Sequence, residues 1–255
     1  MSITINADDF GISKEVNQAI EECFRLGYID QTTLMVNMPY ADAAMQMAKE
    51  QGFADCVGIH LNLTAGYPLT DRIRQNTVFC DERGNFHAGF HHSLKNRLWM
   101  SSDQISQISE ELEAQIKKYL EYGCTLKHVD SHHHVHTNLP VLKALKPLLK
   151  KYDITSIRIG RNLFTKASLL NVVYKKIYHS KLKRTGLQIA DYFGSAPDFR
   201  SYIQSRGIHA DSFCQNYHIE IMTHPMYDGD GILVNTNEPM DASWCRSLCR
   251  QEKEN

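Results

Sequence analysis

No apolar run in the sequence approaches the roughly 20 residues that a membrane-spanning helix requires, so none is expected. The Met1-Ser2-Ile3-Thr4 opening has neither the basic nor the apolar region of a signal peptide, and a cytoplasmic location follows as the expectation. An excess of one charge is also missing. The 28 Lys and Arg against 29 Asp and Glu leave a net charge of -1, which removes the electrostatic case for nucleic acid or an anionic membrane as partner. No stretch rich in Pro, Gly or Ser divides the chain, and 255 residues suffice for one α/β barrel, so residues 1–255 are read as a single domain. The seven cysteines, at positions 23, 56, 80, 124, 214, 245 and 249, are scattered and odd in number, and a disulfide framework is not expected. Cys245 and Cys249 would share a helix face, but no histidine or third cysteine is near them in sequence to complete a zinc site.

The chain is rich in histidine at one place. Asp130-Ser131-His132-His133-His134-Val135-His136 sets four imidazoles and a carboxylate within seven residues, directly after an apolar segment. Intermediate divalent metals prefer those ligands, and a strand end is where an α/β enzyme presents them to a cleft. A polar loop without a ligand role is the bland alternative. A second stretch, Ile5-Asn6-Ala7-Asp8-Asp9-Phe10-Gly11, places two aspartates side by side before a helix. Adjacent carboxylates repel unless a cation lies between them or one is protonated, so the pair reads as a metal ligand beside a general base. Helix capping by one of them is the alternative, and Ser13 is better placed for that job. Two further strands carry a histidine, His60 in Val57-Gly58-Ile59-His60-Leu61-Asn62-Leu63-Thr64 and His224 in Ile219-Glu220-Ile221-Met222-Thr223-His224-Pro225. Each alone is more often a core residue. Four separated strand ends bearing Asp or His would converge on one face of a parallel barrel.

Periodicity gives the frame. Strands are expected at residues 2–6, 32–37, 57–63, 127–131, 154–158, 187–192 and 217–223. Helical spacing links Val16, Ala19, Ile20, Cys23 and Phe24 before Gly27, and Ile105, Ile108, Leu112, Ile116 and Tyr119 before Gly123, while Pro140 opens a third helix. The fold class is therefore α/β, with about seven parallel strands in a distorted or incomplete (β/α) barrel. Residues 70–102 lack periodicity and read as a long loop over the active-site face, its histidines on the surface or against substrate. The basic run Lys175, Lys176, Lys181, Lys183 and Arg184 reads as a solvated helix face. Arg158 ends a strand, where it contacts the pocket or pairs with a carboxylate to no catalytic purpose.

These segments, from Asn6-Ala7-Asp8-Asp9-Phe10-Gly11 through Gly58 to Thr64 with Gly66 and Pro68, His128 to His136, and Glu220 to Pro225, resemble the YdjC-like carbohydrate deacetylases in order and content. The resemblance implies metal-dependent removal of acetyl groups from N-acetylated amino sugars or short oligosaccharides such as chitooligosaccharides. By that match Asp9, His60 and His132 hold one divalent metal ion, Mg or Zn, with Asp8 the catalytic base and His224 the acid. The partner is then a small acetylated sugar, and a homodimer is left open, as are the roles of His133, His134 and His136. If strand geometry continued past His132, His133 would point to the opposite face. The match is weak from Asn162 to Arg184, and relatives usually continue beyond the point corresponding to Asn255, so a shortened C-terminal end is expected. A metal hydrolase acting on another ester or phosphoester bond is one alternative. A non-catalytic metal-binding protein is another, but it has no need of Asp8 beside Asp9.

Overall fold

A computed structural model describes residues 3–165, 168–236 and 238–248. Seven strands, β1 (Ile3–Phe10), β2 (Gln31–Leu34), β3 (Val57–Leu61), β4 (His128–Ser131), β5 (Ser156–Ile157), β6 (Tyr192–Ser195) and β7 (Ile219–Thr223), form one parallel sheet in the order β5-β4-β3-β2-β1-β7-β6. Every pairing in it is parallel, as the strand-helix alternation requires. The sheet curls until its two edges meet. Ile157 N donates to Gln188 O at 3.1 Å, Gln188 N to Thr155 O at 2.9 Å, and Asn162 N to Phe193 O at 3.0 Å. These bonds give each edge partners that an open sheet would leave exposed, and the result is a distorted barrel.

Helices cover the outside. α1 (Lys14–Arg25) starts at Ser13, whose hydroxyl accepts from Val16 N at 3.2 Å, and buries Ala19, Ile20 and Cys23. α2 (Ala41–Glu50) follows β2 and buries Ala44, Met45 and Ala48. α3 (Ser102–Glu121) opens with a reciprocal Ser101–Gln104 capping box and buries Ile108, Leu112, Ile116 and Tyr119 at helical spacing. α4 (Leu139–Lys151) has Pro140 in its first turn and packs on α3. α5 (Leu169–Lys183) and α6 (Ala196–Arg206) complete the cover. From α3, Gln115 grips the loop after β3, accepting from Asn62 N at 2.9 Å and donating to Asn62 O at 2.7 Å.

Three expectations are corrected. The strand expected at 187–192 begins at Tyr192, because Gln188 only bridges to β5 and the ladder with β7 starts at Tyr192 opposite Ile219. β1 runs on to Phe10, so both aspartates lie inside a strand. The region from 70 to 102 holds three short helices, Asp71–Arg74, Gly89–His92 and Leu94–Leu98, anchored by buried Ile73, Phe79 and Phe90. After His224 the chain enters a small antiparallel sheet of β8 (Pro225–Tyr227), β9 (Leu233–Asn235) and β10 (Glu238–Pro239). Cys249 and the Cys245 side chain lie outside the described residues. Among the described residues Cys56, Cys80 and Cys124 form no disulfide, and no helix is long and apolar enough to cross a membrane.

Candidate metal and catalytic site

The carboxyl end of β1 is irregular where the site needs it. Register with β2 shifts between Ala7 and Phe10, and Asp9 takes a left-handed φ of 68°. The shift is a bulge that turns the Asp9 carboxylate toward the neighbouring strands. There Asp9 Oδ1 lies 2.7 Å from His132 Nδ1 and 3.2 Å from His60 Nε2. The ligand atoms of Asp9, His60 and His132 all lie within 4.8 Å of one another. The residues expected to hold a metal are thus together.

His60 is held from behind. Asp130, fully buried on β4, lies 2.6 Å from His60 Nδ1, which commits that nitrogen and leaves Nε2 facing Asp9. Thr33 Oγ1 donates to the other Asp130 oxygen at 3.0 Å. Burial pushes the His60 imidazole down, but Asp130, Asp9 and Asp8 together outweigh it and raise the ring to a pKa of about 10. Burial likewise opposes the charge on Asp9, yet hydrogen bonds from His132 and His60 hold its carboxyl well below the usual range.

Asp8 faces a different partner. Arg158, buried completely, donates through Nη1 and Nη2 to Asp8 Oδ2 and Oδ1 at 2.7 and 2.8 Å, and Asn6 Nδ2 adds a bond to Oδ1 at 2.8 Å. Burial raises the Asp8 pKa, but the charge and hydrogen bonds of Arg158, with His60, together hold it below the usual carboxylate value. Arg158 also meets Asp130 at 2.7 Å and Glu220 at 2.5 Å, and stacks over Phe193 with Cζ 4.7 Å from the ring centre. Two other groups could hold an ion by geometry, Asp8 with His60 and Asp130, and His128 with Asp130 and Glu220. Arg158 contacts carboxylates in both, so those groups already have their cation.

The Asp9 group fits a divalent ion. Four buried or nearly buried carboxylates, Asp8, Asp9, Asp130 and Glu220, stand against the guanidinium of Arg158, and the His60 imidazole, its pKa raised by the three aspartates, offsets part of the remaining negative charge. Two nitrogens and one carboxylate are a donor set for zinc, and mixed N/O ligation is acceptable to magnesium. His224 directly follows β7, with its side chain 43% exposed, and its Nε2 lies 4.0 Å from both Asp8 Oδ2 and Asp9 Oδ2. Its backbone N–H donates to Asn235 Oδ1 at 2.9 Å, so the small antiparallel sheet places it.

The other histidines fall outside the group. β4 stops at Ser131, and His133 and His134 both adopt left-handed conformations with φ of 50° and 55°. His133 therefore does not point away from His132, as strand geometry would require. Its ring centre is 4.1 Å from that of His132, and Nδ1 meets Thr64 Oγ1 at 3.1 Å. His134 sits edge-on to Phe193, where burial and the Arg158 charge push it down to about 3. His136 is buried and hydrogen-bonded to Ser131 Oγ. Sequence reasoning missed Asn6, Asp130 and Glu220 as working parts, although all three stand inside the motifs, and it left Arg158 undecided.

The structure resembles a crystal structure of an Enterococcus faecalis V583 protein provisionally named for cellobiose-phosphate cleavage, with a TM-score of 0.66 and 25% identity over 89% of this chain and 82% of that one. Among curated proteins, a carbohydrate deacetylase of Thermoanaerobacter pseudethanolicus is 36% identical over 82% of each chain. A carbohydrate deacetylase of Brevibacillus brevis is 32% identical over 93% of this chain and 86% of its own length. A family model described as YdjC-like protein matches residues 2–252. With a match over nearly its whole length, and with the motif residues gathered at one end of the barrel, the chain belongs to the YdjC-like family.

Proposed function

We propose that this protein is a metal-dependent deacetylase of N-acetylated amino sugars or short oligosaccharides, chitooligosaccharides among them. The observation that carries the reading is the convergence of Asp8, Asp9, His60, His132 and His224 from four strands, with Asp8 held apart from the Asp9 group by Arg158. The names of the similar curated proteins support the substrate class. Asp9, His60 and His132 hold one divalent ion, zinc or magnesium. When bound, that ion supplies Lewis acidity toward the acetyl carbonyl oxygen.

The residues do the rest. An amide is a poor electrophile with a poor leaving group, so protons must be managed on both sides of the scissile bond. Asp8 is ionised, buried and oriented, and it takes the proton of the attacking water. His224, on the exposed side, gives a proton to the departing nitrogen, because an amide anion is too basic to leave. A protein that only stored or sensed metal would have no use for a second, arginine-held carboxylate beside the ligand. The continuous core supports one catalytic domain over residues 1–255, and we place the protein in the cytoplasm.

Acetate release from a panel of N-acetylated sugars, with zinc or magnesium added, tests the reading. Asp8→Asn keeps size and polarity, so it should retain metal while turnover falls by about two to four orders of magnitude. Near-normal release by Asp8→Asn would remove the base role. Activity confined to phosphoesters or simple esters would instead favour a hydrolase of another bond.

A further inference from the structure

Arg158 touches three carboxylates, and the proposed chemistry uses only one of them directly. Asp130 has a separate task in orienting His60. Glu220 has none so far. It lies on β7, is 4% exposed, and its Oε1 accepts from Arg158 Nε at 2.5 Å. Its other close neighbour, His128 Nε2, is 3.7 Å away and has no hydrogen-bond partner among the described residues, so His128 does not hold it in place. Neutralising Arg158 does not require a third carboxylate, because Asp8 and Asp130 already supply two negative charges at 2.7 Å. Burying another carboxylate costs free energy that a well-packed apolar side chain would avoid.

The geometry gives Glu220 a use. A guanidinium is planar and its five N–H groups form a rigid fork, so fixing Nε fixes the direction of the two terminal nitrogens. Phe193 closes one face of the plane at 4.7 Å. Within the plane Nη1 also meets Asp130 Oδ2 at 2.7 Å, and the bond from Nε to Glu220 adds the fixed point at the root of the fork. We infer that Glu220 is a positioning residue for the reaction, which aims the fork of Arg158 at both oxygens of Asp8 and so fixes how that carboxylate meets the attacking water. The inference rests on the deacetylase reading with Asp8 as base.

Glu220→Gln keeps the acceptor, whereas Glu220→Met keeps the volume and removes it. Expected for Glu220→Gln is kcat within about threefold of wild type. For Glu220→Met, kcat should fall about tenfold to a hundredfold, the scale of a small misplacement at a reacting group, with KM and zinc affinity within about threefold. The Arg158 Nε–H, followed by nitrogen-15 NMR, should lose its protection from solvent exchange in Glu220→Met and keep it in Glu220→Gln. Wild-type kcat or unchanged Nε–H protection in Glu220→Met would overturn the inference, as would an equal loss of kcat in Glu220→Gln. If Glu220→Met does not fold, Glu220→Asp shortens the arm by one methylene and carries the same expectations. A wild-type protein that releases no acetate from any sugar would refute the deacetylase reading. The exchange measurement still judges the Glu220–Arg158 contact by itself.

Discussion

Asp130 shows how a residue that never faces substrate can decide the chemistry of one that does. Its carboxylate, 2.6 Å from His60 Nδ1, keeps the proton on that nitrogen and leaves Nε2 facing Asp9. Asp130→Asn removes the charge and offers His60 either an amide oxygen or an amide N–H. Zinc affinity in a chelator competition should drop about tenfold to a hundredfold, as when a partner behind a metal-ligating histidine is lost. Unchanged affinity would mean that Asp130 serves only Arg158. In the sequence Asp130 was visible as part of the histidine run, but its task was not. Whether a carboxylate at a strand end binds a metal or braces a ligand depends on which neighbour meets it across the sheet. His60 stands opposite Asp130 in the β3–β4 register, 70 positions away in sequence.

At the scale of elements, the end of β1 and the turn into α1 present the two aspartates. Gly11 follows the bulge with φ of 93°, and a Cβ there would meet Ala41 Cα at 3.1 Å, Leu34 Cδ1 at 3.2 Å and Met35 O at 3.3 Å. Gly11→Ala adds a positive-φ penalty to crowding against backbone, and it should cost roughly 2 to 3 kcal/mol in urea unfolding. Weaker metal binding should accompany the loss, because Asp9 is two residues away on the same distorted segment. A loss below about 0.5 kcal/mol would show that the backbone there relaxes freely. The long helices α1, α3 and α4 were legible from apolar spacing and terminal signals, since a helix writes its buried face every three or four residues. Strand positions were legible too, but their ends were not. β5 keeps only Ser156–Ile157 and β6 starts at Tyr192, because a strand ends where its partner stops pairing.

The whole molecule buries several neutral imidazoles, and that makes its stability depend on pH. His136 is inaccessible to solvent, and burial pushes its pKa well below 6.5. In the unfolded chain the same ring takes a proton near pH 6.5. Below that pH the unfolded state therefore binds more protons than the folded one. The contribution of His136 is present in full above about pH 6.5 and is lost as pH falls from there toward the depressed folded value. Urea midpoints measured from pH 7 down to pH 5 should decline, and His136→Gln should decline less steeply, by about 1.4 kcal/mol per pH unit for one proton. His134, at about 3, and His91, at about 4, keep part of the slope in that variant. Equal slopes would mean that His136 is protonated in the folded state.

The sequence by itself determined the α/β class, the parallel strands, the principal helices and the side-chain types that reach the strand ends, because periodicity and local chemistry are written within a few residues. Only the tertiary structure decided that the sheet curls far enough to join its edges, that a bulge turns Asp9 between two imidazoles, and that a left-handed turn folds His133 back over His132. It alone decided that Arg158 is the cation of the barrel interior, gripping Asp8, Asp130 and Glu220 from positions 150, 28 and 62 residues distant. Contacts of that kind follow from register and curvature, which sum small contributions over the whole sheet, so no short stretch of the chain records them.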